Sequence, residues 1–192
     1  MCINRKDIKM SNVYMLLARG FEESEALVPA DLLKRAGANV ILVATEGGLA
    51  VTGAHGITVT ADITIDELRK DDMNCLILPG GGLGTELLGN NPRVLSLIEY
   101  AASRGIYIAA ICAAPSILGK MRLLDGRNAA VYPDFAESLK YANITGKKVE
   151  HDDIFITAEG MGVSFEFGFK LIEVMFGAQA ASDMRQAVRY EK

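Results

Sequence analysis

One of the three cysteines stands where a predicted strand turns into a predicted helix, in a setting that suits a reactive thiol. Residues 106–111 (IYIAAI) run into Cys112, and a helix is predicted to follow Pro115. The small residues Ala110 and Ala114, two positions before and after Cys112, permit the sharp turn of a nucleophile elbow. Unpaired N–H groups and the dipole at a helix N-terminus would favour a thiolate there. A buried structural cysteine is the alternative from this segment alone.

A glycine-rich segment follows another predicted strand. Residues 80–84 (GGGLG) come directly after the apolar run 75–78. They match neither the G-x-G-x-x-G pattern nor a P-loop, because no Lys-Ser/Thr pair follows. A tight turn that needs glycine would explain them. Alternatively, the backbone N–H of Gly81 could form an oxyanion hole together with that of Ala113.

Three acidic residues, Glu22, Glu23 and Glu25, crowd the start of the first predicted helix. Acidic side chains stabilise a helix N-terminus, which explains any two of them. The remaining one could face Cys112. Burial and a neighbouring thiolate would raise the pKa of such a carboxyl group. In its protonated form it could donate a hydrogen bond to sulfur or act as a general acid–base.

The other candidate side chains indicate no further chemistry. The only two histidines are His55, in a glycine-rich segment, and His151, beside two aspartates. Nothing in their surroundings fixes a catalytic geometry, so surface positions are predicted. Adjacent ligands are poorly spaced for a metal, and no metal site is predicted. Cys75 lies in an apolar run and is predicted to be an inert core residue. Three widely spaced cysteines indicate neither a disulfide framework nor a zinc knuckle.

The elements that must position these residues alternate between buried strands and helices. This alternation predicts a doubly wound α/β sheet, in which ligands bind beyond the carboxyl ends of the strands. The glutamate, glycine and cysteine segments all fall there. The predicted strands are 13–18, 40–44, 75–78, 106–111, 129–131 and 154–157. The predicted helices run from an N-cap at Ser24 to a C-cap at Gly37, over 66–70, 92–103 and 178–188, from near Ser164, and over a short stretch closed by 139–143.

Length and charge limit the classes of partner. The chain has 192 residues, a net charge of −4 and no long basic tract. Nucleic acid and anionic membranes are therefore poor partner predictions. The apolar runs are too short to span a membrane. Residues 1–10 are polar and lack a signal core, so they are predicted to be a disordered leader before a single domain of residues 11–192, located in the cytoplasm.

Four segments together resemble the ThiJ/PfpI superfamily, with its class I glutamine amidotransferase-like fold, and in particular the branch of the parkinsonism-associated deglycase. They are 20–25 (GFEESE), 78–84 (LPGGGLG), 109–115 (AAICAAP) and 162–167 (GVSFEF), in family order. The resemblance implies a flavodoxin-like three-layer α/β/α sandwich with a mostly parallel sheet, and a homodimer. It also implies that Cys112 is an oxidation-sensitive nucleophile, that a protonated Glu25 contacts it, and that Gly81 and Ala113 supply the oxyanion donors.

The chain departs from the family pattern at three positions. Ala113 stands where the protease-like branch has histidine, which argues against proteolysis. Tyr132 precedes Pro133 where close relatives have a His-Pro pair, and tyrosine is a poor base at pH 7. Met161 stands where relatives have proline.

The predicted function is that of an enzyme acting on small α-oxoaldehydes or their adducts, glyoxalase- or deglycase-like, through Cys112 and Glu25. By the resemblance it needs no cofactor, and its partner is a small-molecule carbonyl substrate. The alternatives are a redox-sensing or chaperone-like stress protein that uses oxidation of Cys112, a role in thiazole monophosphate biosynthesis as some family members are named, and a non-catalytic binding module.

Overall fold

Seven strands form one central sheet in the computed structural model, which describes residues 12–190. Their order across the sheet is β10-β11-β7-β6-β1-β2-β5, and β10 is antiparallel to its neighbour while the others pair in parallel. Their bounds are β1 Asn12–Leu17, β2 Asn39–Ala44, β5 Ile63–Thr64, β6 Met73–Leu78, β7 Tyr107–Ile111, β10 Val149–Asp152 and β11 Phe155–Ala158. Two small pairs lie outside it: the hairpin of β3 (Ala50–Thr52) with β4 (Thr58–Thr60), and β8 (Asn128–Ala129) with β9 (Asn143–Ile144).

Helices cover both faces of the sheet, which is why its central strands are apolar almost throughout. On β1, the side chains of Val13 and Met15 join the core on one face, while Tyr14 and Leu16 join the core on the other. The first face is covered by α1, α5 and α6, and the second by α2, α3 and α4. The bounds are α1 Glu23–Arg35, α2 Gly82–Gly89, α3 Pro92–Ser103, α4 Pro115–Lys120, α5 Ser164–Phe176 and α6 Ala178–Ala187.

The order of the parallel strands confirms the predicted flavodoxin-like fold. Numbered along the chain, β1, β2, β6, β7 and β11 lie in the order 2-1-3-4-5, which is the flavodoxin arrangement. The order reverses between β1 and β6, and ligands of such sheets bind in the crevice at this switch point. The acidic segment follows β1, the glycine segment follows β6 and Cys112 follows β7.

Several predicted elements differ in position. The stretch 66–70 is not a helix, because the Glu67 carboxylate accepts the Thr64 N–H at 2.8 Å in a local turn, and a 3₁₀ helix, Lys70–Asp72, follows. The short helix that residues 139–143 were predicted to close is a 3₁₀ helix over Pro133–Leu139. The glycine segment is not a loop throughout, since α2 begins within it at Gly82. Glycine's low helix propensity hides that start in the sequence.

The two predicted caps of α1 are each displaced. The Glu22 carboxylate, and not Ser24, caps the helix by accepting the Glu25 N–H at 2.8 Å. At the other end Ala36 is the C-cap, and Gly37 follows it with a φ of 98°. The predicted leader, residues 1–10, lies outside the described residues. Within residues 12–190, no helix is long and apolar enough to cross a membrane.

Candidate functional site

Cys112 occupies the turn between β7 and α4 in the backbone conformation that a nucleophile elbow requires. Its φ is 63°, in the left-handed region that non-glycine residues rarely adopt. Two hydrogen bonds hold this conformation: the Cys112 N–H donates to the Ala158 carbonyl at 2.9 Å, and its carbonyl accepts the Tyr132 N–H at 2.9 Å. Backbone strain of this kind persists where the surroundings over-determine it, and it concentrates at functional sites.

Glu25 is the acidic residue that faces the cysteine. It lies in the first turns of α1 and is 0% exposed. Its Oε2 accepts the Gly80 N–H at 3.0 Å. Its Oε1 is buried and accepts no hydrogen bond from a nitrogen or oxygen donor among residues 12–190. The carboxyl group also hydrogen-bonds to the side chain of Cys112.

Gly80 is a functional residue that the sequence interpretation missed. A Cβ built on Gly80 would lie 2.7 Å from the Cβ of Cys112 and would also collide with the Glu25 carboxylate. No other residue type would let the acid and the cysteine approach each other here. The signal was present in the glycine run after β6, but the sequence alone could not distinguish this steric role from that of a turn.

Gly81 and Ala113 both lie beside the sulfur, and their role as oxyanion donors stays a prediction. The backbone N–H groups of both residues hydrogen-bond to the Cys112 sulfur and act to lower its pKa. Gly81 has a φ of 90° and lies so close to the 20–22 segment that a Cβ would come within 2.7 Å of the Glu22 nitrogen. The structure thus brings the four predicted site residues together at the switch point. Cys112 and Glu25 contribute side chains, and Gly81 and Ala113 contribute backbone N–H groups.

The thiol and the carboxyl group share protons in a way that the sequence only partly predicted. Burial raises the pKa of Glu25 to about 7, with the hydrogen bond to Cys112 opposing the shift. Burial, followed by the charge of Glu25, raises the pKa of the Cys112 thiol to about 12. The predicted direction is confirmed for Glu25 and wrong for Cys112. A six-residue α4 that begins only at Pro115 does not outweigh the burial of the sulfur and the charge of the adjacent acid.

Glu23 has a different role from Glu22 and Glu25. It is 5% exposed, and its carboxylate accepts the His55 N–H at 2.8 Å while the His55 Nδ1 lies 2.8 Å from its other oxygen. The exposed His55 side chain confirms a surface position, but Glu23 does fix its geometry. The carboxylate thereby anchors the β3–β4 hairpin to the start of α1.

Donor atoms of Glu22, Glu23 and His55 lie within 4.8 Å of one another, close enough to share an ion. Each side chain already has a hydrogen-bond partner within the chain. Those partners account for the cluster, so the geometry does not by itself assign a metal.

The remaining predicted side chains lie apart from the sulfur. Cys75 is 0% exposed, so its predicted core position is confirmed, and burial raises the pKa of its thiol to about 12, which disfavours the thiolate. The Nε2 of His151 lies 2.8 Å from the Asp153 carbonyl. Cys2 lies outside the described residues.

Two cavities adjoin the cysteine turn. The larger, about 570 Å³, lies between α2 and α4 and includes Gly82 and Ser116 in its lining. The other, about 420 Å³, is bounded by Tyr132 and by residues 159–163. Neither lining includes Cys112, but both contain residues that follow the carboxyl ends of sheet strands, Gly82 and Ser116 in the first cavity and residues 159–163 in the second.

Comparison with known proteins supports the family resemblance of the sequence. The DJ-1/PfpI family profile matches residues 11–174. Protein dj-1beta of Drosophila melanogaster is 32% identical over 176 residues, covering 91% of this chain and 94% of that protein. A deglycase from Pyrococcus horikoshii is 32% identical over 152 residues, covering 79% and 87% respectively.

Solved structures agree in fold. A DJ-1 superfamily protein from Salmonella typhimurium superposes with a TM-score of 0.89 at 30% identity, covering 95% of this chain and 100% of that one. Oxidized DJ-1 from Toxoplasma gondii superposes with a TM-score of 0.89 at 29% identity, with the same coverage. The fold, the four segments around Cys112 and the relatives agree: this chain belongs to the DJ-1/PfpI family.

Proposed function

We propose that this protein converts small α-oxoaldehydes into α-hydroxy acids through Cys112 and Glu25. One observation carries the proposal: a fully buried carboxyl group, held by the Gly80 N–H at 3.0 Å, faces a strained and half-buried cysteine. Because the pKa of Glu25 is raised to about 7, its carboxyl group can both accept and donate a proton near neutral pH. The deglycase named among the relatives is consistent with carbonyl chemistry at such a site.

The first step is addition of sulfur to the aldehyde carbon. The thiol proton passes to the Glu25 carboxylate as the S–C bond forms, and the aldehyde oxygen takes the negative charge. The N–H groups of Gly81 and Ala113, which hydrogen-bond to the sulfur, are close enough to stabilise that oxygen. Protonation of the oxygen by Glu25 completes a hemithioacetal.

The second step moves a proton between the two carbons of the substrate. Glu25 removes the proton from the former aldehyde carbon and returns it to the neighbouring carbon through an enediol, which leaves a thioester with an α-hydroxyl group. Water then hydrolyses the thioester and restores the thiol. One carbon is oxidised and its neighbour reduced, so the net reaction consumes one water and needs no external oxidant.

A histidine-assisted hydrolase fits the geometry less well. The His55 ring pairs with Glu23 and His151 bonds to a backbone carbonyl, so neither histidine contacts Cys112 among the described residues. Tyr132, at the position of the family histidine, is 43% exposed and meets Cys112 through its backbone. The acid beside the sulfur is therefore the proton carrier that this site offers.

The direct test is lactate formation from methylglyoxal by wild type, Cys112→Ser and Glu25→Gln. We expect Cys112→Ser to abolish turnover and Glu25→Gln to lower kcat at least about 100-fold, the usual range for a general acid–base. Glu99→Gln, an exposed acid on α3, is the matched control and should retain full activity. Lactate formation at the wild-type rate by either site variant would contradict the mechanism.

Redox sensing at Cys112 is the second candidate function. Cys112 is half-buried while Cys75 is 0% exposed, so peroxide can reach only the former of these two thiols. Stepwise oxidation to sulfenic and sulfinic acid is the expected chemistry. The relative from Toxoplasma gondii was solved in an oxidized form. Mass spectrometry after dilute peroxide should find Cys112 modified first, and earlier modification of Cys75 would exclude this function.

The expected assembly is a homodimer. Leu27 on α1 and Phe165 on α5 are 36% and 43% exposed and both line one surface cavity, an apolar area of the kind that subunit interfaces cover. Light scattering after size-exclusion chromatography should give twice the mass of the chain. Localisation in the cytoplasm stays a prediction, which fractionation of the source cells would test.

A further inference from the structure

The smaller of the two cavities beside Cys112 is tied directly to the cysteine backbone. Tyr132 and Pro133 form one wall, and residues 159–163 form the other. The Tyr132 N–H donates to the Cys112 carbonyl, and the Cys112 N–H donates to Ala158, the residue before the second wall. Backbone hydrogen bonds thus connect both walls of the pocket to the residue that carries the sulfur, which places the pocket beside the cysteine turn.

Apolar side chains and bare glycine backbone line this pocket. Tyr132 and Met161 are 43% and 56% exposed and supply apolar surface among the residues that line the pocket. A Cβ built on Gly160 would lie 3.5 Å from the Tyr132 Cδ2, so the tyrosine ring lies against bare glycine backbone. A flat group can stack on this ring or lie at its edge, as aromatic pairs prefer.

One charged side chain lines the pocket. Glu159 is half-buried, and no ion pair neutralises it among residues 12–190. A negative substituent placed in the pocket would meet a like charge at short range in a partly desolvated setting. The pocket therefore discriminates against anionic substituents.

We propose that this pocket holds the substituent on the substrate's ketone carbon and selects neutral aromatic groups over a methyl group and over anionic groups. The substrate class at Cys112 is then the aryl-substituted 2-oxoaldehydes. As a statement about substrates, this inference rests on the proposed function. As a statement about which reagents reach Cys112, it can be tested without turnover.

The test compares two α-bromoketones that alkylate Cys112, 2-bromoacetophenone and bromoacetone. In each reaction sulfur displaces bromide and forms one S–C bond, and the two reagents differ in a phenyl or a methyl substituent. Rates at Cys112 are followed by peptide mass spectrometry and divided by the rates of the same reagents with glutathione. We expect the normalised rate to favour phenyl by about tenfold, the selectivity typical of a hydrophobic pocket.

Variants locate the selectivity in the pocket. The double variant Tyr132→Ala/Met161→Ala keeps both backbone hydrogen bonds to Cys112 and should bring the phenyl preference close to one. Tyr141→Ala removes another exposed tyrosine, 52% accessible, which does not line this pocket, and should leave the preference unchanged. A wild-type preference close to one, or a preference that survives the double variant, would overturn the proposal.

A third reagent, 4-(bromoacetyl)benzoic acid, tests the charge. Its normalised rate should fall about fivefold below that of 2-bromoacetophenone in wild type, and Glu159→Gln should restore most of that loss. Equal rates in wild type, or no recovery in the variant, would remove Glu159 from the proposal.

Steady-state assays with phenylglyoxal and methylglyoxal separate the two proposals. Turnover of both substrates, with no loss of the phenylglyoxal preference in the double variant, would overturn the pocket assignment alone. Selective alkylation without turnover of either substrate would overturn the proposed function and retain the pocket.

Discussion

Ionisation of Glu25 should destabilise the protein as the pH rises through neutrality. The carboxyl group is 0% exposed, and burial raises its pKa from 4.5 to about 7. In the unfolded chain the same group loses its proton near 4.5. Between these two values the folded protein therefore binds the proton more tightly than the unfolded chain does. Linkage then requires that the free energy of unfolding falls as the pH rises across this window.

The size of the effect follows from the displacement of the pKa. Each pKa unit corresponds to about 1.4 kcal/mol, so a change from 4.5 to about 7 amounts to about 3 kcal/mol. That is a large part of the net stability of a domain of this size. The contribution of Glu25 should be lost completely slightly above pH 7 and should then stay constant as the pH rises further.

Urea unfolding at fixed protein concentration, from pH 4.5 to pH 8, would measure the effect. Glu25→Gln keeps an oxygen that can accept the Gly80 N–H but carries no titratable proton, so the wild-type curve minus the variant curve isolates this group. Cys112→Ser should retain the pH dependence, because burial is the first cause of the Glu25 shift.

His55 needs a separate control. The Glu23 carboxylate raises the pKa of His55, so its contribution to stability is present at low pH and is lost as the pH rises through its folded pKa. This loss has the same sign as that of Glu25 and a higher starting pH, because a histidine titrates near 6.5 when unfolded. A His55→Asn background removes it from both curves.

The reasoning fails if the difference curve is flat or rises between pH 4.5 and pH 7. A rise would mean that the folded protein holds Glu25 as a carboxylate more firmly than the unfolded chain does. The hydrogen bonds from Gly80 and Cys112 would then outweigh burial, and Glu25 could not serve as a proton donor near neutral pH.

Two further predictions concern buried hydroxyl groups and the hairpin. Thr157→Val should cost about 1–3 kcal/mol in urea unfolding, because the Thr157 hydroxyl accepts the buried Ala130 N–H at 2.9 Å. Thr85→Val should be neutral or stabilising, because the buried Thr85 hydroxyl has no partner among the described residues. Equal losses in the two variants would refute this contrast. Gly53→Ala would place a Cβ 2.5 Å from the Glu23 carboxyl carbon and should speed amide exchange in the hairpin. Gly48→Ala, where nothing lies within 4 Å, is the control and should leave the exchange unchanged.

Much of the fold could be predicted because the local hydrophobic pattern of its strands agrees with their buried position in the tertiary structure. Residues 13–18 and 106–111 are apolar runs, and in the structure they are strands with helices on both sides. The elements that differ are those whose local chemistry is unusual. Gly82 and Gly84 conceal the start of α2, and the Glu67 carboxylate accepts hydrogen bonds from Thr64 in a local turn where a helix was predicted.

The residue types of the candidate site and the raised pKa of its carboxyl group were predictable from the sequence, whereas the raised pKa of the thiol was not. The strand-to-helix pattern predicted Cys112 at a turn, the acidic cluster offered it a possible partner, and only the family resemblance named Glu25. Whether sulfur or carboxyl holds the proton depends on burial and on contacts between segments far apart in the chain, such as the Gly80 N–H on Glu25. The same holds for the three glutamates: Glu22 caps α1, Glu23 anchors the hairpin and Glu25 meets the thiol, a division that no sequence pattern encodes.

The raised pKa values of Glu25 and Cys112 together determine which chemistry the site favours. With pKa values of about 7 for Glu25 and about 12 for Cys112, the pair keeps at least one proton throughout the physiological range. A thiolate can then form at neutral pH only when its proton moves to Glu25, so sulfur becomes nucleophilic in the same step that makes the acid a donor. Addition to an aldehyde needs both changes at once, whereas a free thiolate needs only the first. The arrangement therefore favours carbonyl addition, in which the developing oxyanion takes up the proton that the thiol has released.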